Sequence, residues 1–266
     1  VIGVFDSGVG GLTVLGALLR RLPAEDYLYL GDTARLPYGS KSRKTIARYA
    51  VSSARFLVDE GAEFLVIACN TASALALEDI RAAVPVPVLG VIETGANAAL
   101  ASSVSKDALV IATAATVESH AYARACAERG LRAIEKACPL LVPLVEEGWI
   151  DHPVTREVLG IYLGELLASA TAAGLSPDTL VLGCTHYPLL RAQIEAAVAA
   201  HAPLAVIDSA EVTAAQVAER VGAAEIAPGA GTRRFYATDS VEKFRTLGSR
   251  FLGHPIGEVR LVDLGG

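Results

Sequence analysis

The chain has no methionine, a single tryptophan and few aromatic residues of any kind, 6% of its 266 residues. Four further absences bear on function. Although 52% of the residues are hydrophobic, no apolar run approaches the roughly 18 residues that would cross a bilayer as a helix, so the sequence reads as globular and not as a membrane protein. No run of Lys and Arg offsets a net charge of -6. Nucleic acid and anionic membrane surfaces are therefore disfavoured as partners, and a small molecule is the expected ligand. The four cysteines, at 69, 126, 138 and 184, form neither a C-x-x-C pair nor the Cys/His spacing of a zinc site. No metal site is expected. The start of the sequence carries no secretory pattern, so the expected place is the reducing cytoplasm, where a disulfide framework does not form and thiols stay free.

Two of those thiols stand in matched settings. VIACNTAS at 66 to 73 and LVLGCTHYP at 180 to 188 are apolar, β-branched runs that end abruptly in a cysteine and then in small polar residues. A buried parallel strand delivers a reactive side chain at its carboxyl end in this way. Cys69 is followed by Asn70 and Thr71, and Cys184 by Thr185 and His186. Two thiols on opposite sides of one small molecule can remove a proton from one face and return one to the other. Cys126 and Cys138 lack such a context and read as small core hydrophobes. His120, His152, His201 and His254 read as structural or exposed.

The rest of the chain alternates strand and helix. VIGVF leads through Asp6 and Ser7 into a helix carrying Leu12, Leu15, Leu18, Leu19 and Leu22 at helical spacing. The glycines at 8, 10 and 11 suit either a close backbone approach to a ligand or an ordinary tight turn, and G-x-G-x-x-G is not matched. YLYLGD at 27 to 32 is the next strand. The loop after it carries Pro37, Tyr38 and Gly39, which suit contacts to a carboxylate or a plain turn, with Ser40 or Ser42 capping a helix to about residue 60. A strand over 86 to 93 follows. The rhythm restarts at 108, with Thr113 and Thr116 at a strand end and helix start, where Thr116 is either an N-cap or a ligand contact. Glu146 and Glu147 close an apolar stretch that holds two prolines, where acids are usually solvated. A helix over about 153 to 173, the second cysteine strand, and a strand ending in Asp208 and Ser209 come next, then two last strands within 235 to 240 and 258 to 264.

This alternation predicts an α/β protein with doubly wound, mainly parallel sheets. The repeats of strand-Cys-polar, and of strand-Asp-Ser at 6 and 208, suggest two similar domains with a site in the cleft between them. The expected division is residues 1–93 with 208–266 in one domain and 94–207 in the other.

GVFDSGVGGLTVL, LPYGSKS, ACNTAS and GCTHYPLL, in this order and over essentially the whole chain, closely resemble the glutamate racemases of the aspartate/glutamate racemase superfamily. The resemblance implies a cofactor-independent isomerase that interconverts L- and D-glutamate and supplies D-glutamate for bacterial peptidoglycan. It also implies two α/β domains related by a pseudo-twofold axis. By motif position, Cys69 and Cys184 are the catalytic acid/bases, and Asp6 and His186 assist them. Ser7, Tyr38, Gly39, Asn70, Thr71 and Thr185 join Asp6 and His186 in binding substrate, and the site extends to Thr113, Thr116 and Glu146. The resemblance allows a homodimer. Because the sequence opens almost at the first strand, activation through an N-terminal extension, used by some relatives, is not expected. A racemase of another acidic amino acid such as aspartate, or an interaction protein that binds DNA gyrase, stand as alternatives.

Overall fold

The computed structural model describes residues 1–199, 203–222 and 230–265; His201 lies outside them. The chain divides into two compact units, Val1–Val91 with Thr213–Gly266, and Ile92–Val212.

The first unit begins with strand β1 (Ile2–Asp6) and helix α1 (Leu12–Arg21). Leu12, Leu15 and Leu18 are fully buried, while Arg20 and Arg21 occupy the last turn, where a cation favours the helix dipole. Strand β2 (Tyr27–Gly31) leads through a loop to helix α2 (Arg43–Asp59), capped by Ser42, whose Oγ accepts from the Thr45 amide at 3.3 Å. Ile46, Ala50, Ala54 and Leu57 form its buried stripe. Strand β3 (Phe64–Ile67), helices α3 (Asn70–Leu75) and α4 (Leu77–Ala83) and strand β4 (Val88–Gly90) follow. Helix α5 (Val91–Ser102) carries the chain into the second unit.

There, β5 (Asp107–Ala112), α6 (Ala114–Glu118), α7 (Ala121–Ala127), β6 (Arg132–Ala137), α8 (Leu141–Glu146), α9 (Pro153–Ala172), β7 (Thr179–Gly183), α10 (Arg191–Ala199) and β8 (Ala205–Asp208) alternate. Helix α11 (Ser209–Val221) returns to the first unit, which ends with β9 (Arg233–Ala237), α12 (Val241–Leu252) and β10 (Val259–Leu261). No helix among the described residues is long and apolar enough to cross a membrane.

All pairings are parallel, in the orders β10-β9-β2-β1-β3-β4 and β6-β5-β7-β8. Strands β1, β2, β3, β4, β5 and β7 are buried along their whole length. Helices cover both faces of such strands, which explains why they read as unbroken apolar runs. A fully buried Leu65 or Leu182 stabilises the fold by about 1.5–3 kcal/mol.

Within the first sheet, β2-β1-β3-β4 repeats the connectivity of β6-β5-β7-β8. In each unit the order reverses between its first and third strands, and ligands of open α/β sheets bind beyond the carboxyl ends at such a switch point. Cys69 follows β3 and Cys184 follows β7, so both thiols stand at equivalent switch points. This corrects one sign of internal repetition. The counterpart of β1 is β5, which ends before Thr113, so Asp208 and Ser209 are not the equivalents of Asp6 and Ser7.

Other expectations are corrected locally. The strand expected over 86 to 93 is only Val88–Gly90, and helix α5 starts at once. Val91 and Ile92 are buried in that helix, so one apolar run spans strand and helix, which periodicity alone does not separate. A Cβ on Gly90 would lie 2.8 Å from the Leu77 side chain, so glycine lets β4 close on α4. Strand β6 and helix α7 were not anticipated. RAIEKA is an edge strand, partly exposed throughout, and lacks the apolar run of its neighbours. The stretch with two prolines contains α8, where Pro143 falls in the first turn and its missing N–H has no intrahelical partner to lose.

Candidate active site

In the first unit, parallel pairing of β1 with β3 sets Phe5 beside Ile67 and brings the residues just past both strands together. Cys69, 5% exposed, is the N-cap of α3. Its Sγ accepts from the Ala72 amide at 3.4 Å and donates to Ser7 Oγ at 3.4 Å. Asp6 is buried, and its Oδ2 accepts from the Gly8 amide at 2.9 Å. A Cβ on Gly11 would lie 2.6 Å from Asp6 Cβ and 3.0 Å from Ala68 Cβ. That glycine makes room for Asp6 itself. Burial, and then the Asp6 charge, push the Cys69 thiol up to about 12, against the pull of Ser7 and the Ala72 amide. Asn70 and Thr71 open α3 and are buried.

Tyr38 is held by neighbours within its own unit. Its ring is buried against Phe5, with centroids 6.3 Å apart, and its hydroxyl donates to Asp32 Oδ2 at 2.6 Å. Asp32, fully buried, also accepts from Thr238 Oγ1 at 2.9 Å and Arg35 at 3.4 Å. Tyr38 thus anchors its loop through the phenol and leaves Gly39 exposed in a single 3-10 turn. Sequence reasoning passed over Asp32. Its signal is the same as that of Asp6, an acid closing a buried strand.

In the second unit, β5 and β7 pair with Ala112 opposite Gly183, so Thr113 and Cys184 follow neighbouring strand ends. Cys184 is 5% exposed and its Sγ lies 3.9 Å from Nδ1 of His186, which is also 3.4 Å from Thr185 Oγ1. The other ring nitrogen, Nε2, lies 3.1 Å from Glu146 Oε1. Burial opposes charge on this ring, but the bonds to Cys184 and Glu146 and their charges outweigh it and raise His186 to about 10. Glu146 is therefore no ordinary solvated acid. It ends α8, and Gly148, at φ 82°, turns the chain away behind it. Thr113, not Thr116, is the N-cap of α6. Thr116 is fully buried one turn later, its Oγ1 3.1 Å from that of Thr113.

The two thiols thus have opposite electrostatic company. Cys69 has a carboxylate beside it, and Cys184 an imidazole backed by a carboxylate. Cys126 and Cys138 sit fully inside the second unit, and burial pushes them up to about 11 and 12. Among the described residues no group of three or more His, Cys, Asp or Glu could hold a metal ion.

Residues 2–217 match the sequence model of the Asp/Glu/Hydantoin racemase family. The chain is 52% identical to the glutamate racemase of Koribacter versatilis, over 100% of this chain and 98% of that protein. It is 47% identical to the one from Syntrophus aciditrophicus, over 99% and 96%. Among solved structures, the glutamate racemase of Thermus thermophilus in complex with beta-chloro-D-alanine superposes with a TM-score of 0.84 at 44% identity, over 99% of this chain and 96% of that one. The Francisella tularensis enzyme in complex with D-glutamate gives 0.86 at 34%, over 99% and 97%. An aspartate racemase of Picrophilus torridus, 19% identical with a TM-score of 0.60, shares the fold. With the match running from the first strand through both cysteine turns, the chain belongs to the Asp/Glu/Hydantoin racemase family.

Proposed function

We propose that this chain is a glutamate racemase that interconverts L- and D-glutamate by a two-base mechanism, with Cys69 and Cys184 as the bases and no cofactor. The observation that carries the reading is the pair of thiols at equivalent switch points, Cys69 bonded to Ser7 within the field of Asp6 and Cys184 facing His186. The identity to glutamate racemases, and the D-glutamate held by the Francisella tularensis relative, favour glutamate over aspartate as substrate.

Racemisation removes the Cα proton from one face and returns a proton to the other, so one sulfur must be thiolate while the other is thiol. In the direction that starts at Cys69, its thiolate takes the proton and becomes a thiol, and the Cys184 thiol gives a proton to the opposite face. The reverse direction exchanges the roles. A thiol is a suitable reversible base because its free pKa, about 8.5, lies far closer to neutrality than that of a hydroxyl. Asp6 and His186 pass protons to and from the two sulfurs between turnovers. The carbanion formed next to a carboxylate needs oriented donors. Ser7, Asn70, Thr71 and Thr185 are the polar groups beside the sulfurs, and exclusion of water strengthens their effect. The D-glutamate formed supplies peptidoglycan synthesis in a reducing cytoplasm.

The test is formation of D-glutamate from L-glutamate by protein dialysed against a chelator and treated with a carbonyl reagent, with L-aspartate run in parallel. Full turnover of glutamate supports the reading. Activity that returns only with added PLP or a metal ion, or faster turnover of aspartate, overturns it.

A further inference from the structure

Each cysteine turn is held by a buried hydroxyl that the chemistry above does not use. Behind Cys69, the Ser73 amide donates to the Cys69 carbonyl at 2.9 Å. The Ser73 hydroxyl donates to the Ile67 carbonyl, the last residue of β3, at 2.9 Å, and accepts from the Val91 amide at 3.3 Å. Behind Cys184, the Tyr187 amide donates to the Cys184 carbonyl at 3.1 Å. The Tyr187 hydroxyl shares its proton between the carbonyls of Ala112, which ends β5, and Cys138, at 3.2 and 2.9 Å. Ser73 is 6% exposed and Tyr187 0%.

The two arrangements do one job with different residues. In both, a main-chain amide grips the carbonyl of the cysteine, and the hydroxyl of the same residue ties that grip to the end of a sheet strand. Each turn needs such a tie. Helix α3 has only six residues, too few to be stable by its own hydrogen bonds. Cys184 is followed by irregular chain and a four-residue 3-10 helix, Tyr187–Leu190. A reacting atom displaced by about 1 Å loses rate on the order of a hundredfold, so whatever fixes the turn fixes the aim of the sulfur.

We propose that Ser73 and Tyr187 are positioning residues, Ser73 aiming the sulfur of Cys69 and Tyr187 that of Cys184. The proposal rests on the two-base reading and deepens it by assigning each sulfur its own support. Both hydroxyls bond only main-chain groups.

The test uses Ser73→Ala and Tyr187→Phe, which remove only the hydroxyls, beside Cys69→Ser and Cys184→Ser. The readout is the primary isotope effect from deuterium at Cα with each enantiomer of glutamate, together with kcat, KM and the thermal midpoint. The expected result is a fall in kcat of about tenfold with KM held within about twofold, the mark of an interaction needed in the transition state. The isotope effect for Ser73→Ala grows with the same enantiomer as for Cys69→Ser. For Tyr187→Phe it grows with the same enantiomer as for Cys184→Ser. A merely structural role lowers the midpoint and leaves the isotope effects balanced, and that result overturns the proposal. So does growth with the same enantiomer in both hydroxyl variants. Should one variant not be recovered folded, the other decides by the same criterion. Failure of the two-base reading shows separately, as cysteine variants that racemise at the native rate.

Discussion

Glu146 Oε1 lies 3.1 Å from Nε2 of His186, and the opposite nitrogen of that ring faces the Cys184 sulfur at 3.9 Å. A carboxylate behind an imidazole steadies the charged ring, in which both nitrogens carry protons, so Glu146 favours the imidazolium that faces the Cys184 sulfur.

Replacing that carboxylate by an amide tests the coupling. In Glu146→Gln the histidine loses a charge partner and keeps its burial, so its pKa falls from about 10, while the bond to Cys184 still holds part of the rise. The proton-detected titration of His186 reads this directly. We expect kcat to fall about tenfold, less than the roughly 10²–10⁴-fold that a general acid or base itself contributes, because the carboxylate acts through the ring. An unmoved titration contradicts the coupling.

The same ring sets a pH dependence of stability. Its pKa is raised on folding, from 6.5 to about 10, so between those values the folded state holds a proton that the unfolded state has released. The stabilisation is complete below pH 6.5 and is lost as pH rises toward 10, with a slope of up to about 1.4 kcal/mol per pH unit. Urea unfolding at pH 7 and pH 9 measures it. His186→Asn should flatten that difference, while the buried thiols, also raised on folding, add a further loss only above pH 9.

Thiol chemistry separates the four cysteines. Cys126 and Cys138 are 0% and 1% exposed, and Cys69 and Cys184 each 5%, at the carboxyl ends of their strands. An alkylating reagent should inactivate the protein in step with labelling at Cys69 or Cys184, and glutamate should slow it. Peptide mass spectrometry reads the sites. Labelling confined to Cys126 or Cys138 with parallel loss of activity contradicts the assignment.

Much of this was legible in the sequence because a parallel strand buried on both faces announces itself as an apolar run. VIGVF, VIACN and LVLGC could be read as strands, and the polar residues just beyond them as the groups such strands deliver. What stayed hidden depended on tertiary pairing. RAIEKA is a strand because β5 offers it an edge, and its own pattern does not say so. Glu146 joined the expected site by resemblance alone, its own pattern reading as a solvated acid, and its pairing with His186, 40 residues on, needed α8 to form it. Tyr38 could be read as a site residue and Asp32 as the acid closing a strand, but their bond follows from a turn that no spacing encodes.

We propose that the two sulfurs divide the chemistry by face, Cys69 taking the proton from D-glutamate and Cys184 from L-glutamate, as the family resemblance implies. A serine hydroxyl is too weak a base to compete with thiolate at neutral pH, so each Cys→Ser variant should slow its own abstraction step most. The most direct measurement is the primary isotope effect from deuterium at Cα with each enantiomer. For Cys69→Ser it should grow more with D-glutamate, and for Cys184→Ser more with L-glutamate. The same ordering in both variants, or native rates in both directions for either, would contradict that division.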